Sequence, residues 1–413
     1  MEQDLQVSIL KELMRQWDEG KNIDAGVQYR MPTSAYACPD IAAKEWDIMF
    51  QNHPQLIGLS GDLPGPGTFI TLDDFGTPVL ATRDRDGQFH AFLNACRHRG
   101  VRVSQEERGR KNVFTCPFHA WSYSNAGDLV AIPDEDHFGA IDKSCNGLIE
   151  LPAVERDGLL WMHPQPDGEL NVDELLGPLA EELASFGLGD LVHAGAKTIT
   201  MNLNWKLAND TFGETYHFGK LHRNTLGKIY PGNNLHLEEF GRNHRFVTAS
   251  PAIEKFKELP EEQWDIKIGA AFILYYLFPN ITLIVGNGSC TLVKMFPEEG
   301  NPGRSTSQIF AYYSQEVIEQ AEAAKADGSL GEISKDSVYQ EGGRGIKTLE
   351  ATMEVFSSTI EQEDYLMGEL QQKSAENGLL THVIFGRNEP PLHHFHKTFR
   401  EVLGLSPLEE IKQ

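Results

Sequence analysis

Two short cysteine–histidine pairs constrain the fold of this chain more than any other feature. Cys96 and His98 are spaced C-x-H, Cys116 and His119 are spaced C-x-x-H, and 17 residues separate the pairs. Each pair offers one sulfur and one nitrogen on a short loop, so the two loops together can hold a metal centre. The surrounding chain must then bring two separate loops to one place.

Zinc is the obvious alternative for such a centre, since tetrahedral Cys₂His₂ sites are typical of zinc. Zinc fingers, however, group their ligands cysteine with cysteine and histidine with histidine. Cysteine–histidine pairs on β-turns instead favour a [2Fe–2S] cluster, with both cysteines on one iron and both histidines on the other. The residues around the pairs agree, because 55–163 alternates short apolar runs with turns such as D-D-F-G and D-R-D-G, which is typical of a small antiparallel β-domain.

A second group of possible metal ligands lies downstream. Glu214 and His217 are three residues apart, and an apolar-rich helix predicted over 207–221 would place them on one face. His222 is five residues past His217, so it converges on the same point only if the helix ends or bulges near Gly219. Two histidines and one carboxylate from elsewhere would form the facial triad that binds oxygen-activating Fe(II).

Both groups sit in motifs of one known family. Residues 94–100 (N-A-C-R-H-R-G) and 116–121 (C-P-F-H-A-W) resemble the two cluster-binding loops of Rieske proteins of the oxygenase type. Residues 204–222 resemble the mononuclear-iron motif of the large, catalytic subunits of Rieske non-haem iron oxygenases, the aromatic-ring-hydroxylating dioxygenase family: N-W-K, then acid-x-x-His-x₄-His. Residues 362–371 (Q-E-D-Y-L-M-G-E-L-Q) resemble the family's late acidic motif.

The resemblance implies a role for each motif residue. The four [2Fe–2S] ligands would be Cys96, His98, Cys116 and His119, and the three ligands of the mononuclear iron would be His217, His222 and Asp364, with Glu363 and Glu361 as alternatives to the last. Glu214 would link His217 to the cluster ligand His119 of a neighbouring subunit. Many relatives have Asn where this chain has Thr211; this position and Phe212 are expected to contact substrate.

The sequence patterns predict an α+β fold. The resemblance implies its organisation: N-terminal helices over 1–50 that pack with the catalytic domain, a small antiparallel β Rieske domain over 51–165, and a helix-grip-type catalytic domain with an antiparallel sheet over 166–413. Helices are predicted over 5–17, 39–51, 172–186, 345–377 and after Pro390, and a strand near 196–203. The glycine-rich stretch 325–345 is a candidate loop or lid.

The resemblance further implies a terminal oxygenase that receives electrons from a flavin-dependent reductase, directly or through a ferredoxin, with NAD(P)H as the distant donor and O₂ as co-substrate. The substrate would be a small organic molecule, for which we expect an aromatic compound; a quaternary or methylated amine is the alternative. The reaction could be cis-dihydroxylation, monohydroxylation or demethylation. The family also implies a homotrimer or a multiple of trimers, with a small β subunit possible. A Rieske electron-transfer protein without oxygenase chemistry is the alternative from another class.

Composition excludes several other functions. The net charge of −24 argues against nucleic-acid binding, which needs clustered Lys and Arg. The mean hydropathy is −0.36 and no apolar run approaches the ~20 residues of a membrane helix, so we expect a cytoplasmic protein. Five cysteines without a secretory signal do not indicate a disulfide framework. The H-H-F-H segment at 393–396 is expected to be packed or at the surface, not a metal site.

Overall fold

The computed structural model describes residues 1–267, 270–326 and 348–412, so most of the lid candidate at 325–345 lies outside the described residues. The chain forms two compact units. One unit comprises 44–174 and 187–192, and the other comprises 1–43, 175–186 and 193–413. In the part of the chain that is described, no helix has both the length and the apolar character needed to cross a bilayer.

The unit that carries the cysteine–histidine pairs is built from short antiparallel strands. A five-stranded sheet has the spatial order Glu150–Leu151, Phe89–Leu93, Val79–Arg83, Thr68–Leu72, Arg108–Arg110. Two three-stranded sheets comprise Ala153–Arg156, Leu159–Met162, Gln55–Leu59 and Val113–Thr115, Ser122–Ser124, Leu129–Ala131. Short helical segments are Trp46–Gln51, Ser60–Asp62, Glu135–Phe138, Lys143–Cys145 and Leu188–Asp190. Glycines with positive φ at Gly76 and Gly87 close two of the turns, as the D-D-F-G and D-R-D-G patterns predicted, and Gly127 closes another.

The second unit is centred on a seven-stranded antiparallel sheet. Its strands, in spatial order, are Val192–Met201, Asn301–Tyr313, Ser289–Glu298, Ile281–Gly286, Ala271–Leu277, Asn243–Ala249 and His236–Phe240. A small sheet comprises His382–Phe385, Tyr29–Pro32 and Glu409–Glu410. Helical segments are Gln3–Glu19, Ser34–Ala37, Pro39–Glu45, Val172–Leu176, Leu179–Ala184, Trp205–Asp210, Leu226–Lys228, Pro251–Glu258, Glu261–Gln263, Gln315–Ala326, Leu349–Thr359, Ile360–Asp364, Tyr365–Glu376 and Pro390–Val402.

A long interrupted helix packs on this sheet. Ile360 and Tyr365 from the helix share one buried core with Val293, Met295 and Ile309 from the central strands. In the strand Asn301–Tyr313, buried residues alternate with partly exposed ones over 305–311, so one face of this strand is turned into the core that Ile309 shares with the helix. The α+β class expected from the sequence is therefore confirmed.

Several predicted elements are confirmed, including the first helix, which runs over Gln3–Glu19, and the helix after Glu389. The helix predicted over 172–186 is broken at Gly177, whose φ is 53°, and the following proline. The helix predicted over 345–377 is described from Leu349 onwards and contains one wider π turn, Ile360–Asp364.

The prediction of a helix over 207–221 is wrong, because the helix Trp205–Asp210 ends eleven residues earlier than expected. The Thr211 hydroxyl donates to the carbonyl of Ala208 at 2.8 Å, and such local side-chain bonds compete with helical ones. Gly213 then lets the chain pass Leu392, whose Cδ2 would lie 2.4 Å from any Cβ at that position. Residues 211–222 are consecutive turns, so Glu214 and His217 do not share a helix face.

Candidate metal centres

The two cysteine loops have the same backbone geometry. In each loop the cysteine N–H donates to the carbonyl of the fifth residue after it, at 2.8 Å in both. The N–H of the fourth residue donates back to the cysteine carbonyl, at 2.8 Å after Cys96 and 3.0 Å after Cys116. These fourth residues are Gly100 and Ala120, and both have positive φ, 74° and 59°. The two loops are thus near-copies that present their cysteines and histidines in the same way.

The two cysteine sulfurs lie inside the unit and the two imidazoles nearer its surface. Cys96 and Cys116 are buried, whereas His98 and His119 are partly exposed. Burial raises the pKa of the Cys116 thiol, and the neighbouring Cys96 acts in the same direction. A bound metal would instead hold both sulfurs as thiolates. Tyr123 lies beneath them: its hydroxyl accepts the N–H of Arg97 at 2.9 Å and lies 3.3 Å from the Cys96 sulfur.

The two histidines face each other with their ring centroids 4.5 Å apart, and Trp121 stacks on His98. The Nδ1 atom of His98 is buried and has no hydrogen-bond partner in the structure. Burial, together with His119, lowers the pKa of His98, so its imidazole is neutral, as a metal ligand must be. An unpaired buried nitrogen costs free energy unless something binds it. These residues therefore fit a metal group between the loops.

The spacing of the four residues distinguishes a cluster from zinc. Ligand atoms of one tetrahedral zinc lie about 3.3–3.8 Å apart. Within 1–267, 270–326 and 348–412, only one group of three or more His, Cys, Asp or Glu side chains brings its ligand atoms within 4.8 Å of one another, and it contains none of these four. The four loop residues are arranged in two pairs, with both sulfurs buried and the two imidazoles facing each other, and this arrangement fits a two-iron cluster with one pair on each iron.

The one compact group is His217, His222 and Asp364. Asp364 Oδ1 lies 3.1 Å from His222 Nε2 and 3.4 Å from His217 Nε2. The histidines come from the turns after the helix Trp205–Asp210, and Asp364 closes the π turn Ile360–Asp364 of the long helix. His222 and Asp364 are buried, and His217 is partly exposed. Two imidazoles and one carboxylate on one side of a point form the donor set of a 2-His-1-carboxylate iron site.

Further carboxylates hold the outer nitrogens of both histidines. Glu214 accepts a short hydrogen bond from His217 Nδ1 and also accepts the His217 N–H at 3.1 Å. Glu363 lies 2.8 Å from His222 Nδ1. Burial lowers the pKa of His217, but hydrogen bonds to Asp364 and Glu214 outweigh it and raise that pKa to about 10. The metal-free site thus pairs protonated imidazole with carboxylates, and a cation would replace the proton.

The sequence analysis gave Glu363 only as an alternative ligand. It did not identify Tyr123, or Thr225, whose hydroxyl donates to Glu363 at 2.7 Å. Glu363 belongs to the same turn as Asp364 but is not part of the compact group. In the sequence, the only sign that two carboxylates take different roles is that Glu363 and Asp364 are adjacent in Q-E-D. Glu361 has no place in the group either.

Two cavities meet at the three-residue group, and both are lined by His217 and Asp364. One is open, has a volume of about 740 Å³, and its polar lining includes Asp210, Glu214 and Glu389. The other is narrow, about 50 Å³, and is the one that reaches His222. Its apolar lining is Phe212, Phe218, Leu226, Phe246, Phe272, Leu274, Phe356 and Ile360. Thr211 lines both cavities and Phe212 lines only the second.

The remaining histidine segment is structural, as expected. His393, His394 and His396 are buried in the helix Pro390–Val402. His396 Nε2 donates to Asp210 at 2.8 Å, and His394 pairs with His244 at 2.9 Å. Burial lowers the pKa of His393 to about 4. The segment is packed in the helix and does not form a metal group with other described residues.

Comparison with known proteins agrees with this geometry. Residues 188–405 match the family model for the ring-hydroxylating alpha subunit (catalytic domain), and residues 53–150 match the model for the Rieske [2Fe-2S] domain. The catalytic-domain match covers more than half of the chain.

Curated relatives include both aromatic dioxygenases and amine monooxygenases. The chain is 27% identical over 203 residues to the glycine betaine monooxygenase oxygenase subunit of Chromohalobacter salexigens, covering 49% of this chain and 45% of that protein. It is 31% identical over 187 residues to the chlorobenzene dioxygenase subunit alpha of a Cupriavidus species, covering 44% of this chain and 42% of that protein. It is 26% identical over 295 residues to the carnitine monooxygenase oxygenase subunit of Escherichia coli, covering 70% of this chain and 76% of that protein. The chain thus spans less than half the length of two of these relatives.

Solved structures share the fold. A quaternary ammonium Rieske monooxygenase in complex with L-carnitine aligns with a TM-score of 0.69 and 19% identity, covering 92% of this chain and 96% of that one. Naphthalene 1,2-dioxygenase from Rhodococcus aligns with a TM-score of 0.66 and 19% identity, covering 97% and 98%. These structures show the fold alone. The two family models, of which the catalytic-domain model covers more than half of the chain, show that the chain belongs to the ring-hydroxylating alpha-subunit family of Rieske non-haem iron oxygenases.

Proposed function

We propose that this chain is a terminal oxygenase component, which uses electrons from a reductase to hydroxylate a small organic molecule. The observation that carries the proposal is the convergence of His217, His222 and Asp364, with ligand atoms all within 4.8 Å, in a chain that also carries the two cysteine–histidine loops. A Rieske carrier without oxygenase chemistry needs only the loops. The second site is therefore what favours an enzyme.

When bound, a cluster held by Cys96, His98, Cys116 and His119 would supply single electrons, and Fe(II) held by His217, His222 and Asp364 would supply O₂ activation. The chain's own residues hold and enclose that chemistry. His217, His222 and Asp364 occupy one side of the metal position, which leaves the other side free for small molecules. The apolar walls of the narrow cavity keep water away from it, and Glu214 and Glu363 hold the two imidazoles in place.

Electron delivery in this proposal runs between copies of the chain. Glu214 faces the open cavity, whose polar lining includes Asp210 and Glu389. The first cysteine loop exposes Arg97 and Arg99, which complement that acidic lining. We infer that the cluster loops of a second copy dock at this cavity, so that His119 of the second copy approaches Glu214.

Large apolar side chains border both proposed contact surfaces. Phe118 beside the cluster is 55% exposed, and Leu380 and Ile384, which line the open cavity, are 45% and 57% exposed. Such side chains gain free energy when a partner covers them. Head-to-tail contacts of this kind close into a ring, which supports a homotrimer or a multiple of trimers. A flavin-dependent reductase completes the proposed system, with or without a ferredoxin and with or without a small β subunit.

For the substrate we propose an uncharged aromatic compound. Among its described lining residues, the narrow cavity carries no Lys or Arg that could pair with a carboxylate, and five phenylalanines line it. At about 50 Å³ it would take only part of a ring, so the substrate would extend into the open cavity, which also reaches His217 and Asp364. A buried carboxylate without a cationic partner is costly. A methylated amine is the second candidate, because aromatic faces also bind quaternary ammonium groups and some relatives are named as carnitine or glycine betaine monooxygenases.

The deciding experiment is the metal content of anaerobically purified protein, followed by product analysis under ¹⁸O₂. We expect about three irons and two sulfides per chain, a Rieske EPR signal on reduction, and labelled product from a neutral arene with a matching reductase. Two irons per chain with no second site would identify an electron carrier. Label in the aldehyde that C–N cleavage releases from a trimethylammonium compound, trapped before it exchanges with water, with none in arenes, would favour the amine candidate.

A further inference from the structure

The imidazole of His222 is held at both nitrogens by two consecutive acidic residues. Its Nε2 lies 3.1 Å from Asp364 Oδ1, and its Nδ1 lies 2.8 Å from Glu363 Oε2. The ring is 1% exposed, so these contacts are shielded from water. The same Glu363 oxygen accepts the hydroxyl of Thr225 at 2.7 Å.

The wider turn of the long helix makes this double contact possible. In a regular α-helix, consecutive side chains point about 100° apart, so two neighbouring residues do not ordinarily reach one ring. Within Ile360–Asp364 the backbone is wound as a π turn, and the N–H of Tyr365 donates to the carbonyl of Ile360, five residues earlier. Turns of this kind are rare and often lie at functional sites. Glu363, longer by one methylene, reaches the far nitrogen, and Asp364 reaches the near one.

The hydrogen bond has a direct chemical consequence for metal binding. A carboxylate at Nδ1 accepts the Nδ1–H of the ring, which fixes the tautomer whose Nε2 lone pair is available to a metal. Glu214 stands in the same relation to Nδ1 of His217. Each of the two histidines therefore has its own carboxylate, and Glu363 is not a member of the ligand group.

We propose that Glu363 is a positioning residue of the iron site: it holds His222 in the metal-binding tautomer and orientation, and Thr225 holds Glu363. This inference rests on the proposed function only in requiring that the site binds iron. Contacts of this outer kind typically change metal affinity or activity by roughly 10–100-fold when they are removed. The hydroxyl of Thr225 adds a smaller effect, because it restrains the carboxylate without contacting the ring.

The test is anaerobic Fe(II) binding to cluster-loaded protein whose mononuclear site has been emptied, with the EPR spectrum of its nitric oxide complex as a second readout. We expect Glu363→Ala to weaken Fe(II) binding by roughly 10–100-fold and to change the EPR line shape. Glu363→Gln keeps an acceptor oxygen and should fall between Ala and the wild type. Thr225→Val should weaken binding several-fold, and Thr225→Ser should restore it.

Glu361→Gln is the matched control, because it removes a carboxylate of the same turn and leaves the contact between Glu363 and His222 in place. It should leave affinity and line shape unchanged. Wild-type affinity and spectrum in both Glu363→Ala and Glu363→Gln would overturn the inference and leave the oxygenase proposal intact. Failure of the wild-type protein to bind a third iron would instead overturn the proposed function. If Glu363→Ala does not fold, Glu363→Gln and the two Thr225 variants still decide between these outcomes.

Discussion

Gly100 and Ala120 occupy equivalent positions in the two cysteine loops, four residues after Cys96 and Cys116, and both have positive φ. Glycine adopts this conformation without cost, whereas an L-residue such as alanine is disfavoured there by about 1 kcal/mol. Nothing lies within 4 Å of a Cβ built on Gly100, so the cost of a side chain there comes from the backbone alone.

Exchanging these two residues should therefore change stability in opposite directions. We expect Gly100→Ala to lower the free energy of unfolding by about 1 kcal/mol and Ala120→Gly to raise it slightly, since added flexibility of the unfolded chain offsets part of the gain. Thermal unfolding of the cluster-loaded protein measures both changes. A stabilising Gly100→Ala would show that the loops are not equivalent.

The Tyr123 hydroxyl should tune the cluster through Cys96. Hydrogen bonds to cluster sulfurs favour the reduced state, which carries the additional negative charge. Tyr123→Phe removes the hydroxyl that lies 3.3 Å from the sulfur, so we expect the reduction potential to fall by on the order of tens of millivolts. Redox titration followed by circular dichroism measures this shift. Tyr36→Phe, in the other unit, should leave the potential unchanged.

Glu214 should matter for electron delivery more than for metal binding. We expect Glu214→Gln to retain the cluster and, at saturating Fe(II), the iron, but to lose turnover by roughly 10–100-fold even when iron-loaded, because the carboxylate is proposed to link two subunits. Single-turnover measurements would locate the loss in the transfer of the cluster electron. Glu389→Gln, in the same cavity, should remain active. Full activity of Glu214→Gln would contradict the bridging role.

Iron binding should release protons at neutral pH. The pKa of about 10 at His217 means that this ring is protonated in metal-free protein at pH 7.5, and the pKa of His222 is also raised. Fe(II) binds only neutral imidazole, so at least one proton should leave per iron bound. The apparent affinity should therefore rise about tenfold per pH unit for each proton released, up to about pH 10.

Calorimetric titrations in two buffers with different heats of ionisation count these protons. Glu214→Gln should reduce the number released, because the carboxylate helps to keep His217 protonated. Binding heats that are the same in both buffers would contradict the expected protonation.

The narrow cavity should select substrates by size. Phe356 lines it from the long helix, so Phe356→Ala should admit larger rings and Phe356→Leu should have a smaller effect. A hydrophobic pocket distinguishes substrates by about 1–3 kcal/mol per methylene, so we expect shifts of 10–200-fold in the ratio of kcat/KM between a two-ring and a one-ring arene. Iron content should not change. An unaltered ratio would mean that substrate binds elsewhere.

The sequence alone predicted the family, the α+β class and the residues of both candidate metal sites, because most of them lie in short motifs. A pair such as Cys96 and His98 needs only one turn to present both ligands, so its chemistry can be read locally. The residues that flank the two pairs, including Gly100 and Trp121, belong to the same motifs and carried the resemblance to the family.

Only the tertiary structure decided how distant segments meet. The helix Trp205–Asp210 ends early because Thr211 bonds back to it and Gly213 passes close to Leu392, a residue far along the chain. Helix propensity, which is summed over residues that are neighbours in sequence, contains no information about such a long-range contact. Likewise, Glu363 and Asp364 are adjacent acids in sequence, and only the π turn assigns them to opposite nitrogens of His222. Local bonding determines which ligands the chain contains, whereas long-range packing determines which carboxylate faces the metal position and which one orients the ligand.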